Sequence, residues 1–563
     1  MAADRAGDEQ DGAAGQVARH RVAIVGAGFA GIGLAVRLRQ RGTDDFVVLE
    51  RADDVGGTWR DNTYPGAACD VPSNLYSFSF CPNPTWTRSF SPQREIHDYL
   101  RSCALRFGVM PHIRFRHEVT RATWDDAAQC WDIETTGGRV RASVLVSARG
   151  PLSEPAIPDI PGLSSFAGTL FHSARWDHEH DLRGEKVAVI GTGASAIQFV
   201  PAIQPAVGTL TLYQRTAPWI IPRRDRALSR VEHALFRRVP AAQLAARAAI
   251  YWAREAYVLG FVGRPERRRR RARVATVAAR RLLERQVRDP QLREKLTPRY
   301  ELGCKRILIA NDYYPALTRP NVEVVTARIA EVRPHSIVTS DGQERPVDTI
   351  VLGTGFDVTG HAAAEHTVGR DGRTLAEAWA SRLAAYKGTT VAGFPNLFLM
   401  VGPNSGLGHS SIVFIIESQI RYILSALDRM ERDGAGSVEV TAGAQESWTA
   451  EIERRSAATV WAAGGCRSYY LDDKGRNVAI WPGSSWAFRR ATRRFDAAAY
   501  ALRAARTTVS QDAPRQAAAR STASSASGTS APGGPAQLAG AERSPGTTAG
   551  TAAGVGAGSG GTR

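Results

Sequence analysis

Two glycine turns, each set between an apolar strand and a helical segment, constrain this chain more than any other feature. Arg21-Val-Ala-Ile-Val25 reads as a buried strand and Gly26-Ala-Gly28-Phe29-Ala30-Gly31 as a G-x-G-x-x-G turn. Ile32–Arg41 follows as a helix closed near Gly42, and Phe46–Glu50 as a second strand. The same order recurs in Lys186–Ile190, Gly191-Thr192-Gly193-Ala194-Ser195-Ala196, Ile197–Ile203 and Leu210–Arg215. Glycines at these places let backbone N–H groups approach a pyrophosphate at a helix N-terminus. The pattern predicts an α/β fold with two Rossmann-like dinucleotide-binding domains.

The ends of the second strands separate the two sites. Glu50 stands 24 positions after Gly26, where a carboxylate accepts both hydroxyls of an adenosine ribose and repels a 2′-phosphate. FAD or NAD suits that site. The position 24 after Gly191 is Arg215, followed by Thr216, and this pair neutralises and hydrogen-bonds a 2′-phosphate. The second site therefore favours NADPH over NADH. Two such sites in one chain imply hydride transfer from NADPH to a flavin.

Alanine, leucine and arginine at helical spacing fill the stretch from Ala227 to Leu296, which reads as a helical insertion in the second unit, at about 223–300. Ile350–Phe356 and Asn396–Gly402 look like buried strands ending in glycine turns, and both are expected to complete the first domain's sheet. The expected organisation is a disordered N-terminus at 1–20 and a split FAD-binding domain at 21–148 and 347–503. An NADP-binding domain occupies 149–346 and a disordered tail 504–563. Beyond Arg506 the chain has no aromatic residue and consists mainly of alanine, glycine, serine, threonine and proline, so it buries too little apolar surface to offset its ordering entropy.

Net charge is +17, with much of the excess between Arg223 and Arg299, including the run Arg267–Arg271. No aromatic residues alternate with this run, so nucleic acid is not an expected partner. A solvated helical face is the preferred reading, with weak contact to a membrane surface as the alternative. The N-terminal residues lack the basic start and apolar core of a signal peptide, and no stretch approaches the roughly 18 apolar residues of a membrane span. A soluble, cytoplasmic protein is expected. The six cysteines (Cys69, Cys81, Cys103, Cys130, Cys304, Cys466) form no C-x-x-C pair and no metal-ligand spacing, so they read as free thiols and no metal is expected. That also argues against disulfide-reductase chemistry.

Phe166-Ala-Gly168-Thr-Leu-Phe-His172-Ser-Ala-Arg-Trp176-Asp177 fits the pattern F-x-G-x-x-x-H-x-x-x-W-[P/D] and lies just before the second glycine turn. Gly57-Thr58-Trp59 is followed by Tyr64-Pro-Gly66-Ala-Ala-Cys-Asp70, and Gly303-Cys-Lys305-Arg306 by Asp312-Tyr-Tyr-Pro315. On these motifs, from about Arg21 to Arg490, the chain resembles the type I Baeyer–Villiger monooxygenases, which are class B flavoprotein monooxygenases. Gly402-Pro-Asn404-Ser-Gly-Leu-Gly408-His409-Ser410 is similar to the acetophenone-oxidising, flavin-containing-monooxygenase-like branch. Ala148-Arg149-Gly150 departs from the family's Ala-Thr-Gly at the domain junction, whereas Gly353-Thr-Gly355 keeps the pattern at the second crossing.

The resemblance implies FAD and NADPH as cofactors, O2 as co-substrate and a small lipophilic carbonyl compound as substrate. One oxygen atom enters next to a ketone or aldehyde carbonyl through a flavin C4a-peroxide and gives an ester or lactone. Arg306 is implied as the catalytic cation and Asp70 as its orienter. Around FAD it places Gly26, Gly28, Phe29, Ala30, Gly31, Glu50, Arg51, Gly57, Thr58, Trp59, Asp70 and Tyr76, with Asn404 and His409 toward the flavin ring. Around NADPH it places Gly191, Thr192, Gly193, Ala194, Ser195, Arg215, Thr216, Lys305 and Arg306. His172 and Trp176 are implied in coupling domain movement. His409 is read as opening a helix, and Tyr469, Tyr470, Trp481 and Pro482 as pocket lining. N- or S-oxygenation on the same scaffold is the alternative chemistry, and a non-enzymatic flavin-bound redox sensor the alternative class.

Overall fold

The computed structural model describes residues 17–358 and 361–506. Most of the expected tail, beyond Arg506, and residues 1–16 lie outside the described residues. The strand Ala18–Val25 begins earlier than the sequence suggests. Ala18, Arg19 and His20 pair with Val140, Arg141 and Ala142, so the expected disorder over 1–20 does not hold for these three. At the other end Ala504 pairs with Ala435 in the antiparallel ribbon of Tyr500–Ala504 and Ala435–Val440, which moves the start of the tail past it.

Two sheets carry the molecule. The first has eight strands, in the order Thr367–Val368, Val119–Asp125, Cys130–Thr135, Gly138–Ser147, Ala18–Val25, Phe46–Leu49 and Ile113–Arg114, with Leu397–Leu399 also pairing to Gly138–Ser147. The second has five parallel strands, in the order Val322–Val325, Thr209–Tyr213, Lys186–Ile190, Thr349–Leu352 and Thr169–His172. Val22, Ala23 and Ile24 are completely buried, as expected for a parallel strand covered on both faces. Each first strand feeds a glycine turn and then a helix, Phe29–Arg39 in one unit and Ala196–Ile203 in the other.

One strand is not where the sequence reading put it. Thr349–Leu352 pairs with Lys186–Ile190 on one side and Thr169–His172 on the other, inside the second sheet. Leu397–Leu399 does join the first. Ile350 and Val351 are completely buried, and a uniformly apolar strand carries no mark of the sheet it enters. Gly191, at φ 112°, shows the fit: a Cβ there would stand 2.3 Å from the carbonyl oxygen of Gly353, the residue that follows the inserted strand.

The helices Arg230–Arg238, Pro240–Glu255, Pro265–Gln286 and Pro290–Lys295 fill the region read as an insertion. The expectation of six free thiols is overturned, because Cys304 and Cys466 form a disulfide across 162 residues while Cys69, Cys81, Cys103 and Cys130 are free. Sequence distance sets no limit on approach in space. Cys304 sits in an apolar cluster with Phe261, Val460, Trp461, Tyr470 and Ile480, which brings the two segments together. Among the described residues no helix is long and apolar enough to cross a membrane, and no group of His, Cys, Asp or Glu has the arrangement to hold a metal ion.

Candidate active site

At the first turn the chain folds back on itself so closely that only glycine fits. A Cβ on Gly31 would stand 1.9 Å from the Gly26 carbonyl oxygen, so the helix seats directly against the strand end. Within 4 Å of a Cβ on Gly28 only the Cα of Gly57 is met, which leaves the helix N-terminus open to a pyrophosphate. Glu50 is 4% exposed, and its Oε2 accepts the Ala27 N–H at 2.7 Å. Its Oε1 accepts the Ala52 N–H at 3.1 Å and Arg60 Nη1 at 2.9 Å. A carboxylate oxygen has two lone pairs, so Oε2 retains a site for a ribose hydroxyl. The residues fit an adenosine ribose without a 2′-phosphate.

Other residues assigned to this nucleotide have varied surroundings. Phe29 and Ala30 are buried, with Phe29 edge-on to Tyr76 and Phe78. Trp59 donates its indole N–H to Tyr76 Oη at 3.1 Å, and Gly57 precedes the short helix that Thr58 opens. Arg51 turns to Glu154 and to the Ser153 carbonyl. Asn404, at φ 55°, donates to the Asn477 carbonyl at 2.8 Å. Arg149, the departure from the family's threonine, points its guanidinium at the Val119 carbonyl, 3.0 Å away.

The second turn is more open. Gly193 and Ala194 are exposed, and Thr192 donates its hydroxyl to the Thr216 carbonyl at 3.1 Å, tying the turn to the end of the second strand. Ser195 precedes the helix Ala196–Ile203. Arg215 is exposed, and Lys305 is half-buried near it. Burial and the neighbouring charge of Arg215 both lower the Lys305 ammonium pKa. Two cations held near each other without a local acid fit a dianionic 2′-phosphate, which relieves their repulsion.

The two residues that the motifs single out, Asp70 and Arg306, form a pair. Arg306 donates from Nε and Nη2 to the two carboxylate oxygens of Asp70, each at 2.7 Å. The two side chains remain 31% and 25% exposed. The Asp70 charge raises the guanidinium pKa, against burial, with Tyr470 and Tyr469 adding to the rise. For Asp70, burial acts upward but is outweighed by the charge and hydrogen bonds of Arg306, with Arg254 adding to the lowering. The Asp70 loop is pinned from the second unit by Gln198, whose Oε1 accepts from Tyr64 Oη at 3.0 Å and whose Nε2 donates to the Ala68 carbonyl at 3.0 Å.

Two residues here escaped the sequence reading. Arg254 Nη2 donates to the Asp70 carbonyl at 3.1 Å. Its neighbour Glu255, 6% exposed, accepts the N–H and the hydroxyl of Ser485, each at 2.6 Å. Glu255 Oε2 also stands 3.5 Å from Nε2 of the wholly buried His409. Burial acts to raise the Glu255 pKa, but His409 and Ser485 outweigh it and hold the carboxyl below its ordinary range. His409 Nδ1 and Ser410 Oγ are buried without a hydrogen-bond partner among the described residues. Orphaned polar atoms on a glycine loop fit the polar rim of a flavin ring. The helix after them begins at Ile412 with Ser411 as its cap, so His409 precedes the helix and does not open it. A signal for Arg254 existed: Gln243, Arg247 and Arg254 share one face of a helix in an otherwise apolar segment.

His172 closes the strand Thr169–His172, accepts the Ala174 N–H at Nδ1 and meets Phe356 edge-on. Burial lowers its pKa, partly opposed by the Gly355 carbonyl. It thus touches the second crossing between units. Trp176 packs against Phe171 and Phe199 in the second unit's core. Tyr469 is half exposed and Tyr470 buried, whereas Trp481 is buried and stacks on Trp448.

Two dinucleotide-binding turns in one chain, each ending in its own charge, define an oxidoreductase working between two dinucleotides. A model of the pyridine nucleotide-disulphide oxidoreductase family matches residues 23–239. That stretch holds both glycine turns, and all four of its cysteines are free. A Baeyer–Villiger monooxygenase of Streptomyces coelicolor is 52% identical over 487 residues, covering 86% of this chain and 93% of that protein. The closed crystal structure of cyclohexanone monooxygenase aligns with a TM-score of 0.77 at 28% identity, covering 87% of this chain and all of that one. The structure of OTEMO in complex with FAD and NADP aligns equally well, with a TM-score of 0.77 at 26% identity over 87% of this chain and all of that one. The chain belongs to the Baeyer–Villiger monooxygenases.

Proposed function

We propose that the Asp70–Arg306 pair is the centre at which this Baeyer–Villiger monooxygenase inserts oxygen beside the carbonyl of a small lipophilic ketone or aldehyde. The conversion takes up the carbonyl compound, O2, NADPH and a proton, and gives an ester or lactone, NADP+ and water. FAD, when bound and reduced by NADPH, would supply the redox chemistry that activates O2. The chain's own residues bind, orient and stabilise charge.

Arg306 is the observation that carries the reading. Its guanidinium is held permanently charged by Asp70, and a fixed cation stabilises the negative charge that gathers on a substrate carbonyl oxygen during attack. Nε and Nη2 face Asp70, so Nη1 is left to point at the substrate. Asp70 sets the plane of the fork, and Arg254 anchors the Asp70 backbone. Glu50 would hold the FAD ribose, and His409 with Ser410 the ring's polar edge. Arg215 and Lys305 would hold the NADPH 2′-phosphate. Tyr470, buried beside Arg306, keeps water from that side of the pair. The reading keeps the enzyme in the cytoplasm, where NADPH is available.

A panel of ketones, aldehydes, sulfides and amines, incubated with enzyme, NADPH and isotopically labelled O2, tests this by mass spectrometry. Esters or lactones carrying one labelled atom are expected. Sulfoxides or N-oxides as the only labelled products would overturn it.

A further inference from the structure

The helix Pro240–Glu255 is built inside out. Its polar side chains point into the protein: Gln243 donates to Asn74 and to the Asn83 carbonyl, Arg247 to the Asn74 carbonyl, and Arg254 to the Asp70 carbonyl. The opposite face, formed by Ala241, Leu244, Ala245, Ala248, Ala249 and Trp252, is exposed and carries no charge. Leu244 is 47% and Trp252 57% exposed, and Trp486, 52% exposed, lies 6.2 Å from Trp252 between ring centroids. Tyr257 and Leu259 beyond one end of the helix, and Val239 and Leu235 before the other, are exposed as well. A surface helix ordinarily shows water its charged face, so a continuous exposed apolar face of this length marks a contact surface.

The flanks say what the contact is. Residues 223–299 hold 22 lysines and arginines against 7 acidic residues, so this region alone carries nearly all the net charge of the chain. On the helix Pro265–Gln286, the exposed Val274 and Val277 share the outward face with Arg267, Arg270 and Arg281. Arg237 and Arg238, exposed at the end of Arg230–Arg238, directly precede the apolar helix, and exposed apolar side chains and tryptophan rings in so basic a region match the chemistry of an anionic bilayer surface, with the apolar face among the acyl chains and the cations at the headgroups. A second copy of this chain would bring two strongly basic regions together.

We propose that the exposed face of Pro240–Glu255, together with the exposed arginines of the same basic region, docks this enzyme on an anionic membrane surface. The inner face of the same helix reaches Asp70 and His409, through Arg254 and Glu255, so docking would set the substrate site beside the bilayer.

The test uses the full-length, flavin-loaded enzyme with vesicles of phosphatidylcholine alone or mixed with phosphatidylglycerol. Cosedimentation with the anionic vesicles is expected, at least about tenfold weaker with neutral ones and released by salt. The double variant Leu244→Glu/Ala248→Glu should lose about tenfold or more of that binding while keeping its flavin and its turnover of a water-soluble ketone. Arg267→Glu/Arg270→Glu should weaken binding without touching the apolar face. Failure of the parent to bind anionic vesicles overturns the proposal, as does undiminished binding by Leu244→Glu/Ala248→Glu. A concentration-dependent dimer that this variant abolishes, without vesicle binding, would assign the face to a second copy.

Discussion

At the end of its second strand the first unit carries Glu50, which is 4% exposed and already holds Ala27, Ala52 and Arg60. At the equivalent place the second unit carries Arg215, exposed and near another cation, Lys305. The same strand, turn and helix thus end in opposite environments. The first site is assembled before its ligand arrives, which suits a nucleotide that stays bound. The second holds unrelieved repulsion until a phosphate enters, which suits a coenzyme that exchanges. The difference lies in which charge each strand end presents and in how much protein surrounds it.

Removing Glu50 attacks the closed site. Glu50→Ala leaves the Ala27 N–H without its partner and Arg60 with only Asp61 and the Asp54 carbonyl. The loss is roughly 2 to 4 kcal/mol, or about 30- to 1000-fold in flavin affinity. Gel filtration followed by absorbance should find most of the protein colourless; protein that stays yellow would break the contrast. At the open site, Arg215→Ala should weaken NADPH binding by roughly 1.5 to 3 kcal/mol, about 10- to 150-fold, and leave NADH unchanged. Isothermal titration with both coenzymes reads this, and equal losses would deny Arg215 a phosphate contact.

Titration sharpens the same point. The free enzyme's Lys305 is cationic below a pKa that burial and Arg215 hold under the ordinary lysine value. NADPH affinity should therefore fall as pH rises through that lowered pKa. Removing Arg215 takes away a repelling charge, so in Arg215→Ala the fall should move to higher pH; a profile that does not move would separate the two cations. A smaller effect is expected between the units. His172→Ala should slow flavin reduction about tenfold with flavin content unchanged, because His172 lies at the crossing beside Phe356. Stopped-flow absorbance measures it, and an unchanged rate would leave His172 a folding role. Trp176→Ala is the poorer probe, since Trp176 packs with Phe171 and Phe199 and its loss also opens a cavity.

The glycine turns and the charges at the two strand ends were legible in the sequence, because each is a residue type at a fixed offset from a motif, whereas Asp70 and Arg306 were marked by the family resemblance and their pairing across 236 residues by no spacing. The address of Thr349–Leu352 was not, since an apolar strand buried on both faces fits either parallel sheet. Nor was the disulfide: Cys304 and Cys466 are joined by the packing of Phe261, Trp461 and Tyr470, which no local spacing encodes. Arg254 and Glu255 lie at the end of a helix whose overall composition reads as an ordinary insertion. Their role appears once the inward face is separated from the outward one, a step that helical spacing alone allows.

The Asp70–Arg306 pair is the proposed centre of oxygen insertion, so the central claim is tested at Arg306. Flavin reduction, ester and hydrogen peroxide should be measured together for the parent and for Arg306→Ala, with Arg306→Lys as a control for charge without the planar fork. Arg306→Ala should still be reduced by NADPH, form ester about 100- to 1000-fold more slowly, and release the oxygen it consumes as hydrogen peroxide. Near-parental ester formation by Arg306→Ala would contradict the account and move the catalytic cation elsewhere.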